Sequence, residues 1–185
     1  MQDQKGIWQA LRAVRLLLND GLAIQLIFGG SGEHLEALRN WIRSHNYGDR
    51  IQAVGRIPEE GVSDFLASGH VILIPDLTQP AFGLIAVEAM HHGLAVVAAR
   101  SGALPELISP TCGWIYDDPW NEAQLAGVLR QLVENPSLLS SVRPGLHAQA
   151  AQFSQERMTE RILQAYFRGL TPEILSPETS LSAAK

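Results

Sequence analysis

The chain has 185 residues, 46% of them hydrophobic and 18% charged, and its net charge is −5. That balance supports a folded core, excludes a disordered chain, and excludes a nucleic-acid binder that relies on bulk positive charge; it gives no basis for a polybasic membrane anchor. The single cysteine, Cys112, cannot close an internal disulfide and reads as core filler in a reducing, cytoplasmic setting, while no apolar run approaches the ~18 residues of a membrane span and MQDQKGIWQ is no signal peptide.

Helical periodicity begins almost at once. Ile7, Ala10, Leu11, Val14, Leu17 and Leu18 share one face, so residues 5–19 are predicted as a helix ending at Asn19-Asp20-Gly21. Opening in mid-pattern, the chain is read as a piece of a longer protein. Residues 22–30 form an apolar run closing in glycines, a buried strand. A helix is predicted from Glu33 to His45, a short strand over 50–55, and a helix from Pro58 to Ser68 with proline in its first turn. A near-continuous apolar strand covers 70–75, followed by a helix over 84–92, a strand over 94–99, a short helix over 104–108 and a last strand over 112–117. The remainder is helical. Leu125, Val128, Leu129, Leu132 and Val133 form one face. Pro144 is expected to interrupt a helix over 137–152, and Ser154 caps another with Met158, Ile162 and Tyr166 facing inward. Residues 1–170 are thus expected to form one domain, with 171–185 a flexible tail.

Strands apolar on both faces and alternating with helices predict an α/β fold, a Rossmann-like doubly wound parallel sheet with C-terminal helices. Such sheets bind ligands at the carboxyl ends of their strands, near helix N-termini. Four loops there carry candidate residues. Gly29-Gly30-Ser31-Gly32 follows the first strand, and its glycines let backbone amides approach an anion; a tight turn alone explains it equally well. It is not the dinucleotide fingerprint, which disfavours a nicotinamide-dependent enzyme. Lys5 precedes Gly6 and is one of only two lysines, the other being Lys185. A lysine at a helix start opposes the helix dipole unless a phosphate reverses the balance, though a solvated terminal charge is the plainer account. After 70–75, Phe82-Gly83-Leu84 opens a helix whose first amides can face a ligand, with Glu88 one turn further in. A carboxylate there can accept two hydroxyls of a sugar diol, or can pair with an arginine inside the fold. Ser101-Gly102-Ala103-Leu104-Pro105-Glu106 turns into the short helix, and Glu106 is expected to brace that loop. His91 and His92 lack partners at metal-ligand spacing, so no metal site is expected.

Read in order, Lys5-Gly6, Gly30-Ser31-Gly32, FGLIAVEAMHHGLAVVA (82–98), SGALPELI (101–108) and CGWIYD (112–117) resemble the C-terminal half of a GT-B glycosyltransferase, specifically the large retaining family often called family 4. The likeness runs from residue 5 to about 170, and the 82–98 run is its specific part. The resemblance implies a donor-binding domain for a nucleotide-sugar linked to UDP, GDP or ADP, with no resident cofactor. Lys5 would meet the diphosphate, the amides of Gly83 and Leu84 beside Phe82 would hold phosphate or sugar, and Glu88 would take the ribose hydroxyls. Gly55-Arg56 would flank the base, and Gly30 and Gly32 would permit close backbone approach. An N-terminal acceptor-binding domain would be missing, leaving the piece inactive alone; the whole protein could touch a membrane peripherally. Two departures stand out. Pro80 occupies the place of a family glutamate eight positions before Glu88, with Gln79 and Asp76 as the nearest side chains able to replace it. Ala103 replaces a glycine. Pro80 motivates an alternative, a non-catalytic nucleotide-sugar-binding or scaffolding module. A nucleotide-sugar epimerase is a further alternative, disfavoured by the 82–98 run, and a phosphorylase needs a much longer chain.

Overall fold

A computed structural model describes residues 3–168; the stretch 171–185, read above as a tail, lies outside the described residues. The protein divides into two units, one ending at Ala150 and the other beginning at Ala151.

The first unit starts with a 3₁₀ turn, Asp3–Lys5, and then α1 (Ile7–Asn19). The chain continues through β1 (Leu26–Gly29), α2 (Leu35–Ser44), β2 (Ile51–Gly55), α3 (Val62–Ala67) and β3 (Val71–Ile74). It ends with α4 (Leu84–His91), β4 (Ala95–Ala99), α5 (Leu104–Leu107), β5 (Gly113–Tyr116), α6 (Glu122–Glu134) and α7 (Ser137–Ala151), whose last residue opens the second unit. Every strand pairing is parallel. β1 pairs with β2, and β3, β4 and β5 pair in that order; β1 and β3 are not hydrogen-bonded neighbours.

The two sheets share one core. Leu26 and Phe28 of β1, Ile51 of β2, Val97 and Ala99 of β4 and Tyr116 of β5 meet the buried faces of α1, α2 and α6. On the other side, Ala89 of α4 packs with Leu66 of α3, Leu94 and Ile72. Because side chains alternate along a strand, β4 needs cover on both faces, and all five of its residues are buried. Its sequence, Ala-Val-Val-Ala-Ala, has no polar side chain to satisfy. This is the helix-flanked Rossmann-like arrangement expected from the sequence.

Three local expectations need correction. The 22–30 run is a strand only from Leu26, because Leu22 still donates to the end of α1, Leu17 O, at 3.0 Å. Residues 58–68 split into a 3₁₀ turn, Glu59–Gly61, and the shorter α3. Pro144 does not interrupt α7. Tertiary contacts offset its missing amide. Val142 and Leu146 are buried, and Gly145 lies so close to the Thr111 carbonyl that a Cβ there would come within 3.0 Å of its carbon.

The second unit contains α8 (Gln155–Arg168). Ser154 does cap it, with Oγ accepting from Arg157 N at 3.3 Å. Among the described residues the face expected to point inward is exposed: Met158, Ile162 and Tyr166 lie open, Tyr166 at 74%, as do Leu163 and Phe167. Among the described residues, no helix is long and apolar enough to cross a membrane.

Candidate functional site

Parallel strands deliver their connecting loops to the carboxyl ends of each sheet. The loop after β3 is the centre of one such cluster. Its start is fastened to the chain segment before α1. Leu77 N donates to Gln4 O at 2.8 Å. Gly6 caps α1 in the left-handed region at φ 66°, and a Cβ there would lie 2.8 Å from the Pro75 carbonyl carbon and closer still to its oxygen. Only glycine satisfies both the backbone angle and the contact.

Lys5 reaches across this junction. Its Nζ donates to Asp76 Oδ2 at 2.6 Å. The other carboxylate oxygen, Oδ1, accepts from Thr78 N at 2.9 Å and Thr78 Oγ at 2.6 Å. The Asp76 side chain is 4% exposed and that of Lys5 58%. Burial on its own pushes the Asp76 carboxyl up. Donation from Lys5 and from both Thr78 groups, with the lysine charge, outweighs it and holds the carboxyl below the ordinary aspartate value. Lys5 stands just outside the helix, one residue before the cap, and its charge is balanced from within the protein.

The loop's middle is fastened to the loop after β4. Ser101 Oγ donates to Thr78 O, and Ala103 N donates to Pro80 O at 2.9 Å. Gly102, at φ 49°, leaves no room for a side chain, since a Cβ would sit 2.5 Å from Pro80 N. Pro80 is therefore held by its backbone and has no polar side-chain atom to offer. Asp76 is fully engaged, whereas Gln79 beside Pro80 is exposed. Glu106 is exposed and its carboxylate has no hydrogen bond or ion pair among the described residues; Ser101, Gly102 and Ala103 do the fastening expected of it.

The far end of the loop differs. Gly83 caps α4 at φ 106°, packed so closely on α5 that a Cβ would lie 2.8 Å from Leu104 Cδ2. The first amides of a helix have no partner inside it. Those of Leu84 and Ile85 find no acceptor among the described residues. Phe82 is 38% exposed and Leu84 66%. Glu88, one turn into α4, is exposed and has no hydrogen bond or ion pair among the described residues. The internal arginine pairing weighed for it does not occur.

The remaining candidates meet at the end of the other sheet. Gly30 N donates to Gly55 O at 2.7 Å, joining the loops after β1 and β2. Gly30, Gly32 and Gly55 all have positive φ. Open space surrounds the position a Gly30 Cβ would take, and Gly29 is pressed against Ile57 and Phe65. Arg56 is exposed, with no ion pair among the described residues. Among the described residues no group of three histidine, cysteine or acidic side chains is placed to hold a metal ion. The sequence did not single out Thr78. The available signal for its partner was a carboxylate directly after an apolar strand in a chain with one lysine outside the last residue.

The family model for Glycosyl transferases group 1 matches residues 1–148. The chain is 28% identical to D-inositol 3-phosphate glycosyltransferase 1 of Catenulispora acidiphila over 149 residues, 78% of this chain and 35% of that protein. It therefore spans about a third of the length of that relative. Among solved structures, HepE of Anabaena in complex with UDP superposes with a TM-score of 0.78 at 19% identity, covering 90% of this chain and 46% of that one. The C-terminal domain of LpcC, a glycosyl transferase group 1 family protein of Francisella tularensis, superposes with a TM-score of 0.70 at 19% identity, covering 83% and 81%. These structures share the fold, the family model covers most of the sequence, and the chain belongs to the glycosyl transferases group 1 family, with the form of a C-terminal GT-B domain.

Proposed function

We propose that this domain binds the nucleotide-sugar donor of a retaining glycosyltransferase and that the acceptor is bound by a preceding domain. One observation carries the reading: an exposed carboxylate with no partner among the described residues, Glu88, stands one turn behind a glycine-capped helix start with open amides. In this reading Glu88 accepts the ribose hydroxyls. The amides of Gly83 and Leu84, beside Phe82, take phosphate or donor-sugar oxygens, and Lys5 meets the diphosphate. Gly55 and Arg56 flank the base, and Gly30 and Gly32 let the chain pass close to the ligand. Preorganised amides and the lysine charge would stabilise the leaving diphosphate. The UDP-glucose complex of HepE, which shares this fold, supports a nucleotide-sugar donor; the titration below decides whether the donor is UDP-, GDP- or ADP-linked. Catalysis would need the acceptor domain, so the piece alone would bind donor and transfer nothing. The site of action would be the cytoplasm, and polysaccharide synthesis is a fitting role.

Titration calorimetry with UDP, GDP and ADP tests this. One of the three should bind, and Glu88→Ala should weaken it by about tenfold or more, the scale of a lost charge-assisted hydrogen bond, with an unchanged melting temperature. Failure of all three to bind, also when the acceptor domain is supplied, would sink the reading. Pro80 favours a second reading, a non-catalytic donor-binding or scaffolding module, because its backbone is pinned by Ala103 N and no acceptor stands in its place. Donor hydrolysis or transfer by the full-length protein would eliminate that alternative.

A further inference from the structure

We infer that Asp76 is a positioning residue: it anchors the Lys5 ammonium with two donors turned outward, ready for a diphosphate, and couples that cation to the loop after β3. The inference rests on the role proposed above for Lys5.

The geometry makes the pair asymmetric. Asp76 is buried and its carboxylate oxygens are taken, Oδ2 by Lys5 and Oδ1 by Thr78. A buried carboxylate is costly unless it is paired and hydrogen-bonded, and here three donors, one of them a cation, reach it. The lysine, by contrast, keeps more than half its side chain in solvent. An ammonium has three donors; one is spent on Asp76 and two remain. The pair thus buries its anion and presents its cation.

A free lysine at this place would sample many rotamers, and a ligand would have to order them. That ordering costs on the order of 0.5–1.5 kcal/mol for a flexible side chain. The 2.6 Å contact with Asp76 fixes the tip beforehand. The same carboxylate fixes Thr78, whose carbonyl receives Ser101 Oγ. One residue therefore joins the segment before α1, the loop after β3 and the loop after β4. The opposing possibility is competition, in which the carboxylate keeps the cation from the ligand. Two donors left unspent on an ammonium whose side chain is more than half exposed argue for support instead.

Two measurements decide it. The first is a double-mutant cycle in calorimetry, with the nucleoside diphosphate that binds and its monophosphate. Asp76→Asn should weaken the diphosphate by about tenfold, within the range of direct couplings. It should leave the monophosphate within about twofold, and add nothing to Lys5→Met in the double variant. Additive losses, equal losses on monophosphate and diphosphate, or a gain in affinity would overturn the inference. Wild-type protein that binds none of UDP, GDP and ADP, also when the acceptor domain is supplied, overturns the donor reading itself and this inference with it. The second measurement needs no ligand and no variant. Lys5 and Lys185 are the only lysines, so ammonium nitrogen resonances resolve to two. Slow proton exchange on the Lys5 signal supports an anchored ammonium, and exchange as fast as that of a free lysine overturns it.

Discussion

The two ends of the loop between β3 and α4 are built on opposite terms. Its start, Pro75 to Pro80, is fastened on both sides: to Gln4, Lys5 and Gly6 before α1, and to Ser101, Gly102 and Ala103 after β4. Its end, Phe82 to Glu88, exposes apolar side chains, open amides and a carboxylate that has no partner among the described residues. A rigid floor beside uncommitted groups is what a preformed binding site needs, since a ligand then meets polar atoms already in place. Lys5 belongs to both halves, anchored at its tip yet open to solvent.

The steepest test of this contrast is steric. Gly6→Ala adds a Cβ against the Pro75 carbonyl at a positive φ and should cost more than about 4 kcal/mol, the scale reserved for severe structural damage. Gly21→Ala has the same sign of φ, 79°, with nothing within 4 Å, and should cost only the backbone strain of about 1–2 kcal/mol. Denaturant melts of both variants check it; equal losses would mean that the fastened start is not tight.

A smaller effect comes from acid. Asp76 titrates in the folded protein below its ordinary 3.8. Its ionised form therefore contributes stability at pH values above 3.8, and that contribution disappears as pH falls through the lowered folded value. Between about pH 5 and about pH 2, wild type should lose stability relative to Asp76→Asn, measured by thermal melts across the range. A gap that stays constant would break the link between burial, Lys5 and the loop. Smallest of all, Tyr166→Ser on α8 should change the melting free energy by no more than about 0.5 kcal/mol, as for surface positions generally, because the residue is 74% exposed.

That last residue also marks where reading the sequence ran out. The period of Met158, Ile162 and Tyr166 correctly signals an amphipathic helix, yet it says nothing about whether another element covers the apolar side. Pro144 shows the converse: a local cost of about 3 kcal/mol was overridden by burial of Val142 and Leu146 and the close seat of Gly145 on Thr111. In the candidate site, Lys5, Gly83 and Glu88 were legible because Lys5 directly precedes a helix start and Gly83 and Glu88 open the helix that follows β3. Asp76 was visible only as a spare carboxylate, since its partner Lys5 is 71 positions away.

The amino-acid order alone determined the alternation of strands and helices, the burial of β4 and the family, because periodicity and short glycine-marked motifs are local properties. Only the tertiary structure decided that Lys5 is anchored by Asp76, that Pro80 is pinned by the loop after β4, and that Glu88 has no partner among the described residues. Those outcomes depend on which distant loops the parallel strands bring side by side, and a single chain read residue by residue does not encode that distance directly.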